Sequence, residues 1–279
     1  MHGTNQFTVM KLSETFWKVR FQNGPINLWD VDSLEELSRL LDTIEAAPSL
    51  TVVVFESGNP DFFIAHWDFL ADKARVAAMQ PGPTGFHPYA DTLARLSRVP
   101  VVTISSIQGR VRGAGSEFVL ATDIRFASEN ALLGQFEVGT GAVPGGAAMA
   151  RLARLVGRGR AIEILLGGDD IPAKLAELYG YVNRVVPEDE LDTFVDTFAR
   201  RIAGFDKVAV SKIKHFIDIP TLPTDEELGQ SLAAFFETAG RPENRSRVTA
   251  LFERGLQKPD GIELNLGNRL AEIAPKEKA

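Results

Sequence analysis

Residues Gly109 to Gly146 read GRVRGAGSEFVLATDIRFASENALLGQFEVGTGAVPGG, and the rest of the chain is organised around them. An apolar run rich in β-branched residues, Val99 to Ile107, leads in and reads as a strand. The Gly-rich turn Gly109–Gly115 follows, then a helix-like segment, Ser116 to Thr122. Gly113 and Gly115 allow backbone conformations and close approaches that a Cβ would block. A helix that starts just after such a turn presents unpaired N–H groups and the positive end of its dipole. That end suits an anion, or an oxygen that becomes one. Glu117 stands in the first turn of this helix. Glu137 lies twenty residues on, in the loop Gly134-Gln-Phe-Glu-Val-Gly139, between apolar neighbours. Two acids beside N–H donors in an apolar setting supply what proton transfer next to an enolate needs.

Outward from this stretch the chain alternates. Phe7–Lys11 and Phe16–Gln22 are β-type runs joined through Ser13-Glu14-Thr15 as a hairpin. Asp30 to Ala46 has Leu34, Leu37, Leu40, Leu41 and Ile44 at helical spacing, with Asp32 or Ser33 as the cap. Thr51–Phe55 is continuously apolar, as a strand buried on both faces should be. Phe62–Ala65 is a second short apolar run. Trp67–Met79 and Tyr89–Ser97 read as helices, separated by a loop rich in Pro and Gly. This alternation predicts an α/β fold with a largely parallel sheet. Beyond Gly146, Ala147–Val156, Arg158–Leu166 and Pro172–Tyr179 are helical, and Val182–Val186 is a short strand. Helices then dominate: Asp189–Ala203, Lys207–Ile217, Asp225–Ala239 and Glu243–Leu256. The layout predicts a β-containing core over residues 1–190 and a helical region over 191–279. No repeat or low-complexity segment stands out. The charged tail Pro275–Ala279 is expected to fray.

The 279 residues carry 30 Lys+Arg against 37 Asp+Glu, a net charge of -7. Acidity argues against a nucleic-acid partner, because basic charge supplies most non-specific affinity there. At 44% hydrophobic residues the chain can bury a sizeable core. It has no cysteine, which excludes disulfides and thiolate metal sites. The polar start, Met1–Lys11, does not read as a signal peptide, and no apolar run approaches the ~20 residues of a membrane span. The expectation is a soluble cytoplasmic protein without a membrane partner. The four histidines show no ligand spacing, so no metal is expected.

Taken in order, these segments resemble the enoyl-CoA hydratase/isomerase, or crotonase, superfamily. The likeness is strongest from Val99 to Pro187. It rests on Gln108-Gly109 to Glu117, Asp123-Ile124-Arg125-Phe126-Ala127, the Gly134–Gly146 loop and the Leu166–Pro187 stretch. Phe63-Ile-Ala-His-Trp-Asp68 is similar to the family's F-x-A-G-A-D segment, and Pro25-Ile-Asn-Leu28 to its P-x-N-A segment. The resemblance implies a spiral of β-β-α turns, then C-terminal helices that build trimers or dimers of trimers. It implies an acyl-CoA thioester substrate, no separate cofactor, and an oxyanion hole made by the backbone N–H groups of Trp67 and Ala114. It places the catalytic carboxyls on Glu117 and Glu137, and substrate contacts on Leu28, Ala65, His66, Asp68, Gly113 and Phe136. Arg254 and Lys258 are candidates for the CoA phosphates.

The departures bear on substrate more than on chemistry. Ala114 replaces a usual glycine, His66 another, Trp67 an alanine and Phe136 a proline. Each feature also has a plainer reading. Glu117 could serve the helix dipole or a capping box, and Glu137 could be a solvated carboxylate. His66 could be structural. Gly113-Ala-Gly115 lacks the third glycine of a dinucleotide loop, and no G-K-[ST] follows. Arg151, Arg154, Arg158 and Arg160 read as a solvated helix face. The family register and the acid pair together favour a hydratase. A double-bond isomerase using one glutamate is the first alternative, and a non-catalytic oligomeric acyl-CoA-binding relative the second.

Overall fold

The computed structural model describes residues 5–273; the tail Pro275–Ala279 lies outside them. The strands are β1 (Phe7–Lys11), β2 (Phe16–Phe21), β3 (Val52–Ser57), β4 (Phe62–Ile64), β5 (Val102–Ile107), β6 (Arg110–Arg112), β7 (Ile124–Ser128), β8 (Leu132–Gly134), β9 (Ile171–Pro172) and β10 (Arg184–Val186). The first eight helices are α1 (Val31–Glu45), α2 (Lys73–Ala78), α3 (Pro88–Arg98), α4 (Ala114–Ala121), α5 (Glu137–Thr140), α6 (Ala148–Val156), α7 (Arg158–Gly167) and α8 (Ala173–Tyr179). The remaining five are α9 (Leu191–Ala203), α10 (Lys207–Thr221), α11 (Asp225–Ala239), α12 (Pro242–Glu253) and α13 (Leu266–Leu270). A 3₁₀ turn, Ile262–Asn265, precedes α13. No helix among the described residues is long and apolar enough to cross a membrane.

Two sheets share the strands in alternation. One has the order β1-β2-β3-β5-β7-β10, the other β4-β6-β8-β9. β3, β5 and β7 run parallel in the first sheet, while β4, β6 and β8 run parallel in the second. Each pass therefore lays one strand in each sheet before a helix returns the chain, which is the expected spiral of β-β-α turns. The N-terminal hairpin is antiparallel, with Val9 opposite Val19.

Strand alternation explains the two cores. Val53 and Phe55 face one side of β3 and pack with α1, α3 and α4 through Leu37, Leu93 and Phe118. Val52 and Val54 face the other side and meet Leu191, Val195 and Ala199 of α9. The β3 segment is thus buried on both faces, as its unbroken apolar run predicts. Phe118 of α4 sits under three rings, with centroids 5.2 Å from Trp29, 5.2 Å from Phe55 and 6.3 Å from Phe63.

Several local expectations are corrected. α1 is capped by Asp30, which forms a capping box with Ser33. Helix is confined to Lys73–Ala78 instead of starting at Trp67. Trp67 forms a parallel bridge with Trp29, and those backbone bonds exclude a helical turn there. Glu137 opens the short helix α5 instead of lying in a loop. Arg151 is buried rather than solvated. It shares the inward face of α6 with Ala148 and Leu152, and its guanidinium reaches the carbonyls of Leu120 and Leu93. Arg158 and Arg160 are exposed, and Arg154 pairs with Glu227.

Candidate active site

The Gly-rich turn is built as its sequence requires. Gly113 has φ 50° and ψ −120°, a conformation that disfavours any Cβ. A Cβ on Gly115 would lie 2.4 Å from the Ile64 carbonyl oxygen, so α4 and β4 approach each other only through glycine. Ala114 is the first residue of α4 and has no positive φ, so the turn accepts its methyl. As the leading residue of the helix it has no partner for its N–H within the helix.

Trp67 is placed by its bridge. The Trp29 N–H donates to the His66 carbonyl at 2.9 Å, and the Asp68 N–H donates to the Trp29 carbonyl at 2.7 Å. That pattern uses the peptide groups on either side and leaves the Trp67 N–H without a backbone acceptor among the described residues. Trp67 and Ala114 border one cavity of about 190 Å³. Glu117, Glu137, His66, Gly113 and Phe136 line it too, as do Tyr89, Phe235 and Phe236 from α3 and α11. Leu28, Ala65 and Asp68 do not. Leu28 and Ala65 pack with Ile26 and Phe62, and the Asp68 carboxylate accepts from Gln257. Arg254 and Lys258 are exposed and outside the lining. A wider groove of about 450 Å³ runs beside α10 past Asp123, Lys214 and Asp218, and contains neither glutamate.

The two carboxyls have different surroundings. Glu117 Oε2 accepts from the Tyr89 hydroxyl at 2.6 Å. Oε1 accepts from the Gly146 N–H at 2.5 Å and more loosely from the Ala148 N–H at 3.4 Å. Ala147, between them, adopts left-handed φ 65°, and this turns both N–H groups toward the same oxygen. Burial raises the Glu117 pKa above the ordinary carboxylate value, and Tyr89, the two N–H groups and the buried Arg151 charge offset only part of that rise. Glu137 keeps some accessible surface, but that surface faces the apolar cavity. Loss of water and the charge of Glu117 push it up to about 8. When the Gln135 amide is oriented so that its oxygen accepts from Ser116 Oγ, its nitrogen lies 3.0 Å and 3.2 Å from the Glu137 oxygens. Burial and the neighbouring Glu117 charge hold the Tyr89 phenol well above its ordinary range, so it remains a donor.

The arrangement offers one carboxylate held by fixed donors, one carboxyl that favours its protonated form, and two backbone donors at the same cavity. Tyr89, Gln135 and the aromatic pair Phe235 and Phe236 were not singled out as site residues by the sequence motifs. Tyr89 carries no local signature, being an ordinary aromatic at a helix start. Phe235 and Phe236 of α11 form part of the cavity wall.

Comparison with known proteins agrees with this architecture. Residues 11–253 match the family model described as enoyl-CoA hydratase/isomerase. The chain is 29% identical to the short-chain-enoyl-CoA hydratase of Clostridium acetobutylicum over 82% of its length and 87% of that protein. It is 32% identical to the crotonyl-CoA hydratase of Syntrophomonas wolfei over 69% of its length and 74% of that protein. A crystal structure of a candidate enoyl-CoA hydratase from Streptomyces avermitilis superposes with a TM-score of 0.91 at 39% identity, covering 97% of this chain and 98% of that one. The spiral of β-β-α turns, the family match and these relatives agree that the chain belongs to the enoyl-CoA hydratase/isomerase, or crotonase, family of enzymes.

Proposed function

We propose that this enzyme reversibly adds water across the double bond of a 2-enoyl-CoA thioester. The observation that carries the reading is the convergence of Glu117, Glu137, Trp67 and Ala114 on one small, mostly apolar cavity. The thioester carbonyl would accept from the Trp67 and Ala114 N–H groups, which stabilise negative charge as it develops on that oxygen. Glu117, ionised, takes a proton from water while the water oxygen bonds to the β-carbon. The π electrons move onto the thioester as an enolate, and Glu137, protonated, delivers a proton to the α-carbon as the enolate collapses. The net change is one water added. Glu117 ends protonated and Glu137 ionised, and proton exchange with solvent resets the pair. The unequal surroundings support these roles, since three donors favour the charged form of Glu117 while desolvation and a neighbouring charge favour neutral Glu137.

The same reading includes a homo-oligomer, a trimer or a dimer of trimers. Leu228 and Leu232 of α11 are buried within their own chain. The exposed apolar surface lies on α10, where Val208, Ile213, Phe216, Ile217 and Ile219 are all exposed.

A panel of trans-2-enoyl-CoA thioesters of graded chain length, followed by loss of the conjugated chromophore, tests the activity. The account expects hydration of at least one member. A shift of the double bond without water uptake would favour the isomerase reading, and no reaction at any length would favour a binding role.

A further inference from the structure

His66 is buried beside Phe69 and Phe136. Its Nδ1 lies 2.7 Å from the Trp67 carbonyl oxygen, which can only accept, so Nδ1 carries a hydrogen. Its Nε2 lies 3.0 Å from Oε1 of Glu263, a fully buried carboxyl in the 3₁₀ turn before α13. Burial opposes the Glu263 charge, but His66, the Gln257 N–H and Arg112 outweigh it and hold the group below the usual carboxylate range. Its other oxygen, Oε2, is buried without a partner. A buried carboxylate left half satisfied costs stability, which calls for some compensating role.

The position of Glu263 suggests that role. Its side chain reaches the segment that presents Trp67. Its backbone carbonyl accepts from Nη1 of Arg112 at 2.8 Å, two residues before Ala114. Arg112 is itself fixed by Asp170 through Nε at 2.6 Å and Nη2 at 2.7 Å. Gln257 completes the clasp. Its N–H donates to Glu263 Oε1 at 2.7 Å, its Oε1 accepts from the Phe69 N–H at 2.8 Å, and its Nε2 donates to Asp68 at 2.6 Å. Glu263 thus touches both segments that carry the two N–H groups.

We propose that Glu263 is a positioning residue that fixes the Trp67 N–H relative to the Ala114 N–H: its carboxylate holds the Trp67 segment through His66, while the backbone carbonyl of the same residue anchors it to Arg112, beside Ala114. The inference rests on the oxyanion-hole reading above. It makes the C-terminal turn part of this chain's catalytic geometry instead of a cover over it. Catalysis is sensitive to such spacing, because sub-ångström displacement of donors weakens stabilisation of the oxyanion.

The test uses the full chain with butanoyl-CoA labelled with ¹³C at the thioester carbonyl, a saturated ligand that cannot be hydrated. Infrared difference spectra of the bound carbonyl read its polarisation without turnover. In the wild-type enzyme the carbonyl band should move to lower frequency on binding. In Glu263→Gln it should return part of the way toward the free position. With the best enoyl-CoA, kcat should fall roughly tenfold to a hundredfold while KM changes little. His66→Ala should give a similar loss, and the double variant little more than the larger single loss. Should Glu263→Gln not fold, His66→Ala carries the test alone. A variant that melts earlier but keeps the wild-type band and kcat overturns the inference while leaving the hydratase reading intact. An unshifted carbonyl in the wild-type complex overturns the oxyanion hole itself, and with it this proposal.

Discussion

Glu137 and Glu117 share one cavity but not one environment, and their difference sets the expected pH behaviour. In the proposed hydration the active form needs Glu117 ionised and Glu137 protonated. Activity should therefore fall as pH rises through about 8, where Glu137 loses its proton, and should fall at low pH as Glu117 gains one. The two limbs belong to the coupled pair and are read from kcat/KM against pH. Stability follows the same group. The folded pKa of Glu137 lies above its unfolded value, so the folded chain holds the extra proton between the two, and stability declines as pH rises through about 8. Glu137→Gln should thus raise Tm relative to wild type above about pH 8, by less as pH falls, and leave it nearly unchanged only once pH drops below the ordinary carboxylate value, as thermal melts across that range would show. Tyr89 acts on the other carboxyl. Removing its hydroxyl in Tyr89→Phe deprives Glu117 of a donor to its charged form, so the acidic limb should move to higher pH. An unmoved acidic limb would mean that Tyr89 does not influence the ionisation of Glu117.

Among the elements, α4 joins core to site. Its inner face packs Phe118 against Trp29, Phe55 and Phe63, and one residue earlier it presents Glu117 to the cavity. Phe118→Ala should cost about 3–5 kcal/mol in chemical denaturation, as truncation of a buried aromatic does. A cost below about 1 kcal/mol would mean that the surrounding rings collapse into the space. Elements of this kind were legible in sequence because one periodicity governs both fold and burial. The unbroken apolar β3, the leucine spacing of α1 and the glycines before α4 each follow from local chemistry. The glycine turn was legible from its own residues, while the register that brings Glu117 and Glu137 to one cavity came from the resemblance of several motifs in order. What the sequence hid depends on contacts between distant segments. Nothing local tells a buried Arg151 from the exposed Arg158, because the difference lies in what α6 packs against. Nor does local spacing reveal Tyr89 above Glu117, or Glu263 beside His66, 197 residues away. Trp67 misled because its apolar and charged neighbours read as a helix, while a bridge to Trp29 holds it extended.

At the scale of the molecule, both halves of the chain build the cavity. α11 supplies Phe235 and Phe236, and α12 supplies Asn244, opposite the glutamates of the β-rich part. The C-terminal helices therefore serve the site as well as any assembly. The assembly prediction falls on α10, whose Phe216 and Ile219 are each more than two-thirds exposed, at 69% and 67%. Sedimentation at micromolar concentration should show a trimer or hexamer, and Phe216→Glu should shift it toward monomer. A wild-type monomer would contradict the oligomer, and an unshifted variant would place the interface elsewhere.

The central claim is that both carboxyls act in one transition state, and paired glutamine substitutions test it most directly. Glu117→Gln and Glu137→Gln keep shape and hydrogen bonding while removing the titratable proton. With the best enoyl-CoA, each should lower kcat by roughly 10²–10⁴, the range for acid–base groups. Affinity for a CoA product should change little, because backbone N–H groups hold the thioester. The double variant should lose less than the product of the two single losses, as groups that act as a unit do. Wild-type hydration by either single variant would contradict the account, and one severe loss beside one mild loss would point to a single-glutamate isomerase instead.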